Sequence, residues 1–165
     1  MTLEEFKEKI TAIDIFRDST NNKKFIHTLW RTCKIISYKA RDYIIKEGET
    51  GNDMYIGLSG AVTVTQFTRA GDSYTIAYLD FANGCVVFGE MALIDDEERS
   101  ATVIAEKQSS FFRISQKEFN KLCEMYPKEG LYIFRNITKR LTKSLRQSTR
   151  NMVLLFDTLI KEIEH

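Results

Sequence analysis

One carboxylate and one guanidinium stand nine residues apart in the stretch FGEMALIDDEERSATVIA, residues 88–105: Glu90 and Arg99. Their neighbours are small or apolar, with Gly89 and Ala92 near the first and Ser100 and Ala101 beside the second. Gly89 lets the backbone approach a ligand closely. Residues 90–94 can form one helical turn, whose free N–H groups attract an anion. Arginine carries a planar fork of donors that matches a phosphate. An ionised glutamate only accepts, so Glu90 suits hydroxyl donors such as a sugar diol, or Arg99 itself. Ser100 and Ala101 leave room and add N–H and hydroxyl donors. Singly, each feature has a plain structural reading, a turn or a surface charge. Together they would hold one compact molecule with an anionic phosphate and a ribose hydroxyl, with Gly89, Glu90, Met91, Ala92, Arg99, Ser100 and Ala101 around it.

The rest of the composition narrows the field. A chain of 165 residues with 43% hydrophobic and 28% charged residues suits one soluble domain with a real core. A formal net charge of +1 argues against a nucleic-acid binder driven by charge. No apolar run approaches the roughly 20 residues of a membrane span, and the acidic, amphipathic N-terminus is no signal peptide. Neither nucleic acid nor membrane is an expected partner. Three dispersed cysteines, Cys33, Cys85 and Cys123, fit a reducing, cytoplasmic compartment and small buried side chains. With only His27 and His165, a His-rich metal centre is nearly excluded, and so is an imidazole-based triad that does not use His27. No metal, cofactor or catalytic residue is expected.

The elements that must position these residues follow from pattern. Residues 2–16 read as a helix opened by a Thr2–Glu5 capping box, with Phe6, Ile10 and Ile13 on one face. Asn21 or Asn22 caps a second helix. From 35 to 114 the segments turn short, β-branched and aromatic, with strands near 43–46, 54–58, 61–67, 85–87, 101–106 and 109–114. A hairpin turns at 70–72. Ser115 and Glu118 open a short helix, and Pro127 starts a long one running to about 162. The expected fold is α+β and mainly β: an antiparallel eight-stranded β-roll (jelly roll), flanked by N-terminal helices and a long C-terminal helix. One domain spans 1–165, with helices at 2–34, the roll at 35–114 and C-terminal helices at 115–162.

The segment 88–105 resembles the phosphate-binding cassette of the cyclic nucleotide-binding domain family, F-G-E-[LM]-A-L-[IM] followed by R-[AST]-A-T. Upstream, IIKEGETGNDMYIGLSGAV resembles the family's glycine-spaced motif through Ile45, Gly48, Gly51, Tyr55, Leu58 and Gly60. The resemblance covers about residues 35–115. It implies that Glu90 accepts the ribose 2′-hydroxyl, that Arg99 pairs with the exocyclic phosphate oxygens, and that N–H groups near Met91, Ala92 and Ala101 complete the cradle. In the empty site Glu90 and Arg99 are expected to offset each other's desolvation. Gly48, Gly51 and Gly60 read as structural turn residues. Some positions depart from the family. Glu98 stands where proline is common, four acids (95–98) precede the arginine, and the approach to Gly89 is one residue longer, with Cys85 in place of an acid. These bear on local geometry, not on the core contacts.

In the family, alanine after the phosphate arginine goes with cAMP and threonine favours cGMP. Ser100 serves either, and the string ERSA leans toward cAMP. Ile76, Tyr78 and Val62 would wall the base, or simply fill the core as strand residues. Ser144, Ser148 and Thr149 would offer it hydroxyls. Phe134, Leu141, Leu145, Ser148, Met152, Leu155 and Leu159 follow a near-heptad rhythm that suits a homodimer helix, or a helix packed on its own roll. Lys139, Arg140, Lys143, Arg146 and Arg150 read as a solvated face. No helix-turn-helix DNA reader is expected, so the output is an unknown effector protein, or an effector cut away if this is a fragment. The reading is a non-catalytic cyclic-nucleotide sensor that re-packs its C-terminal helices. Its rivals are an interaction module that kept the roll and lost the ligand, and a cupin-type metal enzyme, which the scarcity of histidine opposes.

Overall fold

The computed structural model describes residues 1–163 apart from Arg69 and Cys85. Thr2 and Glu5 open α1 (Leu3–Thr11) with a reciprocal box: the Glu5 N–H donates to Thr2 Oγ1 at 3.2 Å, and the Thr2 N–H to Glu5 Oε2 at 2.7 Å. The helix stops at Thr11, short of the expected residue 16. Ile15 does not share the Phe6–Ile10–Ile13 stripe, so a continued helix would expose it. A turn leading into a short 3-10 segment (Arg17–Ser19) instead buries Ile13, Ile15 and Phe16 together. Asn22 caps α2 (Lys23–Thr32), its Oδ1 accepting from Lys24 and Phe25 N–H at 3.1 and 3.2 Å.

Eight strands follow: β1 (Lys34–Tyr38), β2 (Tyr43–Ile45), β3 (Asp53–Ser59), β4 (Ala61–Phe67), β5 (Ser73–Asp80), β6 (Val87–Phe88), β7 (Thr102–Ala105) and β8 (Ser109–Ser115). They pair antiparallel in two four-stranded sheets, ordered β1-β8-β3-β6 and β2-β7-β4-β5. The expected roll is the observed one. β6 begins at Val87; the expected start at Cys85, and that thiol's burial, lie outside the described residues. Cys33 is buried and Cys123 half-buried, and burial pushes their thiols up to about 12 and about 11, which disfavours the nucleophilic thiolate.

Strand alternation feeds two cores. On β3 and β8, Tyr55 and Phe111 face the roll interior with Ile45, Val62, Phe88 and Val103. Met54, Ile56, Phe112 and Ile114 face the helices, against Phe6, Leu29, Phe119 and Ile133. Phe111 sits at the hub of the roll, with the rings of Tyr38, Tyr55, Phe81 and Phe88 edge-on at 5.5–6.1 Å.

Ser115 and Glu118 cap α3 (Gln116–Met125), and Pro127 opens α4 (Pro127–Ile163). α4 buries Gly130, Ile133 and Ile137 and half-buries Phe134 and Leu141. From 142 to 163 every residue is exposed, including Leu145, Met152, Leu155 and Leu159 of the heptad rhythm. No helix among the described residues is long and apolar enough to cross a membrane.

Candidate functional site

Two loops meet at the end of the roll: 46–52, between β2 and β3, and 89–101, between β6 and β7. The Gly48 N–H donates to the Arg99 carbonyl at 2.9 Å, and the Arg99 N–H donates to the Glu49 carbonyl at 3.0 Å. The Glu47 N–H donates to Thr102 Oγ1 at 3.0 Å, and its carboxylate accepts from the Phe67 N–H at 3.0 Å. The backbone carrying Arg99 is therefore fixed before its side chain does anything.

That side chain lies in a slot between two glycines. A Cβ on Gly51 would stand 2.8 Å from Arg99 Nε, and one on Gly89 would stand 3.0 Å from Nη1 and 2.8 Å from the Asp53 carbonyl oxygen. Gly89 also has φ +75°, which glycine adopts freely. Arg99 Nη2 donates to the Asp53 carbonyl at 2.8 Å. Among the described residues no carboxylate forms an ion pair with it. Burial pulls its pKa below the ordinary arginine value, partly countered by Tyr55 and Asp53. Gly51 thus packs against the Arg99 side chain and is not only a turn residue. Gly48 (φ +78°) and Gly60 (φ +112°) are turn residues by conformation.

Glu90 opens a short 3-10 turn (Glu90–Leu93), and its side chain is 13% exposed. Its Oε1 lies 3.1 Å from Nε of Arg140 on α4, and Arg140 Nη2 donates to the Val87 carbonyl at 3.3 Å. The expected mutual neutralisation of Glu90 and Arg99 is therefore corrected. The glycine slot and the Asp53 carbonyl hold Arg99, and α4 supplies a different cation to Glu90. Arg140, expected on a solvated face, is the residue that sequence reasoning missed. Its one local signal is its place three residues after the buried Ile137, where α4 leaves the roll. Of the three expected N–H donors, Ala92 is already engaged with the Gly89 carbonyl at 3.2 Å. Among the described residues, the Met91 and Ala101 N–H groups meet no backbone acceptor.

These groups surround a cavity of about 230 Å³. Ile45, Val64, Phe88 and Val103 form its apolar wall; Gly89, Glu90, Met91, Ala92, Arg99, Ser100 and Ala101 form its polar wall. Asp95, Glu97 and Glu98 also line it. The seven cassette residues are brought together; Ile76, Tyr78 and Ser144 are not among the lining residues. The register explains the first two. Val64 pairs with Ala77 and Thr65 with Thr75, so Ile76 is the extra residue of a β-bulge. Tyr78 lies opposite Thr63, and both Ile76 and Tyr78 are half-exposed. Val62 is fully buried in the roll core, and Val64 takes the wall position. Ser144, Ser148 and Thr149 lie on the exposed length of α4. Among the described residues no cluster of His, Cys, Asp or Glu is placed to hold a metal ion.

The fold is an antiparallel β-roll that holds an arginine in a glycine-lined slot at one end. The family described as cyclic nucleotide-binding domain matches residues 35–126, over half of the chain. The chain belongs to the cyclic nucleotide-binding domain family. It is 30% identical over 120 residues to a cAMP-dependent protein kinase regulatory subunit of Dictyostelium discoideum, covering 73% of this chain and 35% of that protein. It is 32% identical over 121 residues to the mouse cGMP-dependent protein kinase 2, covering 72% and 15%. The chain thus spans about a third or less of these relatives. Among solved structures, a cyclic nucleotide-binding domain from Methylobacillus flagellatus superposes with TM-score 0.75 at 24% identity, over 92% of this chain and 82% of that one. The Thermus thermophilus catabolite activator protein gives 0.74 at 22%, over 87% and 63%. At these identities the structural likeness speaks for the fold.

Proposed function

We propose that the chain is a non-catalytic, cytoplasmic cyclic-nucleotide sensor that takes cAMP in preference to cGMP and reports it through α4. One observation carries this reading: a half-buried guanidinium faces the cavity with no carboxylate partner among the described residues, while Glu90, on the same cavity, is engaged with Arg140. A desolvated arginine with unused donors is a phosphate acceptor site in waiting. In this reading Arg99 takes the exocyclic phosphate oxygens, Met91 and Ala101 add N–H donors, and Glu90 takes the ribose 2′-hydroxyl. The cavity lies below the ~300 Å³ floor of common ligand sites, so it suits phosphate and sugar, with the base extending past Ser100. Titration calorimetry with cAMP and cGMP tests this. A folded chain that binds neither sinks it.

Gly51→Ala is expected to press the guanidinium off the Asp53 carbonyl. It should lower nucleotide affinity about tenfold, the weight of one hydrogen bond to a charged group. A melting temperature within a few degrees of the unaltered chain would place the damage in the slot.

Coupling follows from Glu90. A ribose hydroxyl would share the carboxylate that Arg140 holds through Oε1, so ligand loosens the hold on α4 in proportion to its preference for the released state. Arg140→Ala is expected to raise nucleotide affinity a few-fold, because nothing then has to be displaced. It should also abolish the ligand-dependent change in hydrogen exchange over residues 115–160. The exposed heptad positions Leu145, Met152, Leu155 and Leu159 suit pairing with a second copy of α4. The exposed length of α4 is the surface offered to an effector.

A further inference from the structure

Ser100 and Ala101 share a peptide bond whose carbonyl is held from beside the cavity. Gln66 on β4 donates from Nε2 to the Ser100 carbonyl at 2.7 Å. The hydroxyl of Tyr74, its cross-strand partner on β5, donates to Gln66 Oε1 at 2.6 Å. Both polar ends of the amide are used, which fixes the way it faces. Neither Gln66 nor Tyr74 is among the residues that line the cavity, whereas Ser100 and Ala101 are. No peptide bond among the described residues is cis, and in a trans peptide the C=O and N–H point in opposite directions. The carbonyl that turns toward Gln66 therefore turns the Ala101 N–H the other way.

We infer that Gln66 and Tyr74 are positioning residues for the ligand phosphate. Acting through the Ser100–Ala101 peptide, they aim the Ala101 N–H into the cavity as a donor beside Arg99. The inference rests on the cavity being the cyclic-nucleotide site. It gives the loop two grips, since the turn at 48–49 fixes the Arg99 backbone and the β4–β5 hairpin fixes the next peptide. A donor held in direction matters most when its acceptor is charged. Both cyclic nucleotides carry the same phosphate, so the pair governs affinity for each alike and leaves the choice of base unchanged.

The test is titration calorimetry with cAMP and with cGMP on the unaltered chain, Gln66→Leu, Tyr74→Phe, their combination, and Gln66→Lys. Gln66→Leu should weaken both nucleotides about five- to tenfold, somewhat less than the full weight of one hydrogen bond to a charged group, since the donor is misaimed and not removed. Tyr74→Phe should weaken them about two- to threefold, and the combination should be no weaker than Gln66→Leu alone, since both act on one carbonyl. Gln66→Lys donates to the Ser100 carbonyl without help from Tyr74. It should recover most of the affinity and make Tyr74→Phe silent. Additive losses, or an unchanged affinity in Gln66→Leu, overturn the inference. If Gln66→Leu melts early, the Ala101 amide resonance is compared between the unaltered chain and Tyr74→Phe: a downfield proton shift on adding nucleotide that shrinks in Tyr74→Phe supports the role, and an equal shift in both overturns it. An unaltered chain that binds neither nucleotide fails at the site itself, a different result from one that binds and ignores Gln66.

Discussion

Replacing Arg99 by lysine is expected to weaken nucleotide binding by about one to two orders of magnitude and to leave the roll folded. Lysine keeps the charge but not the fork. One guanidinium nitrogen already donates to the Asp53 carbonyl, and the others remain for the ligand; an ammonium is a single point that must choose between them. The slot between Gly51 and Gly89 fits a planar group, so a lysine would also lie loosely in it. Arg99→Ala should lose at least as much. Titration calorimetry with a thermal melt of each variant measures both halves of the claim. Binding that survives in Arg99→Ala would move the phosphate to another part of the molecule.

The second large effect is on stability. Phe111→Ala should cost about 3–5 kcal/mol, the range for emptying an aromatic site in a packed core. Phe111 is fully buried and contacts four aromatic rings from β1, β3, β6 and the segment after β5. Its loss leaves a void lined by groups that cannot easily close on it. Against a typical 5–15 kcal/mol for a domain, that is at least about a fifth of the total. Urea unfolding gives the number. A loss below about 1 kcal/mol would mean that the neighbouring rings collapse into the space.

What the sequence shows of this protein follows from range. The capping boxes at Thr2 and Ser115 are legible because four consecutive residues suffice to make them. The cassette is legible because its seven residues lie within one loop and the turns beside it, so that their spacing survives folding. The strands show through their turn signals, which are equally local. Other features depend on what the fold brings together. Arg140 lies fifty residues from Glu90, and only the docking of α4 on the roll makes them neighbours. Gly51 looks like any turn glycine until Arg99 is laid across it. Ile76 and Tyr78 read as strand residues that wall the base or fill the core, but which face each takes depends on the bulge in β5, which shifts the alternation by one residue. α1 ends early because Ile15 and Phe16 are drawn to the core from a side that a continued helix would turn away.

The exposed length of α4 makes it a lever. Its last half-buried apolar residue is Leu141, and residues 142–163 then extend about 33 Å at 1.5 Å per residue. Arg140, its link to Glu90, stands at the fulcrum. A tilt of about 10° there would carry the far end some 6 Å by the length of the arm. In the proposed coupling, a rearrangement too small to disturb the roll would be multiplied along a rigid rod, and a partner on the tip would experience a displacement larger than the hydrogen bond that started it.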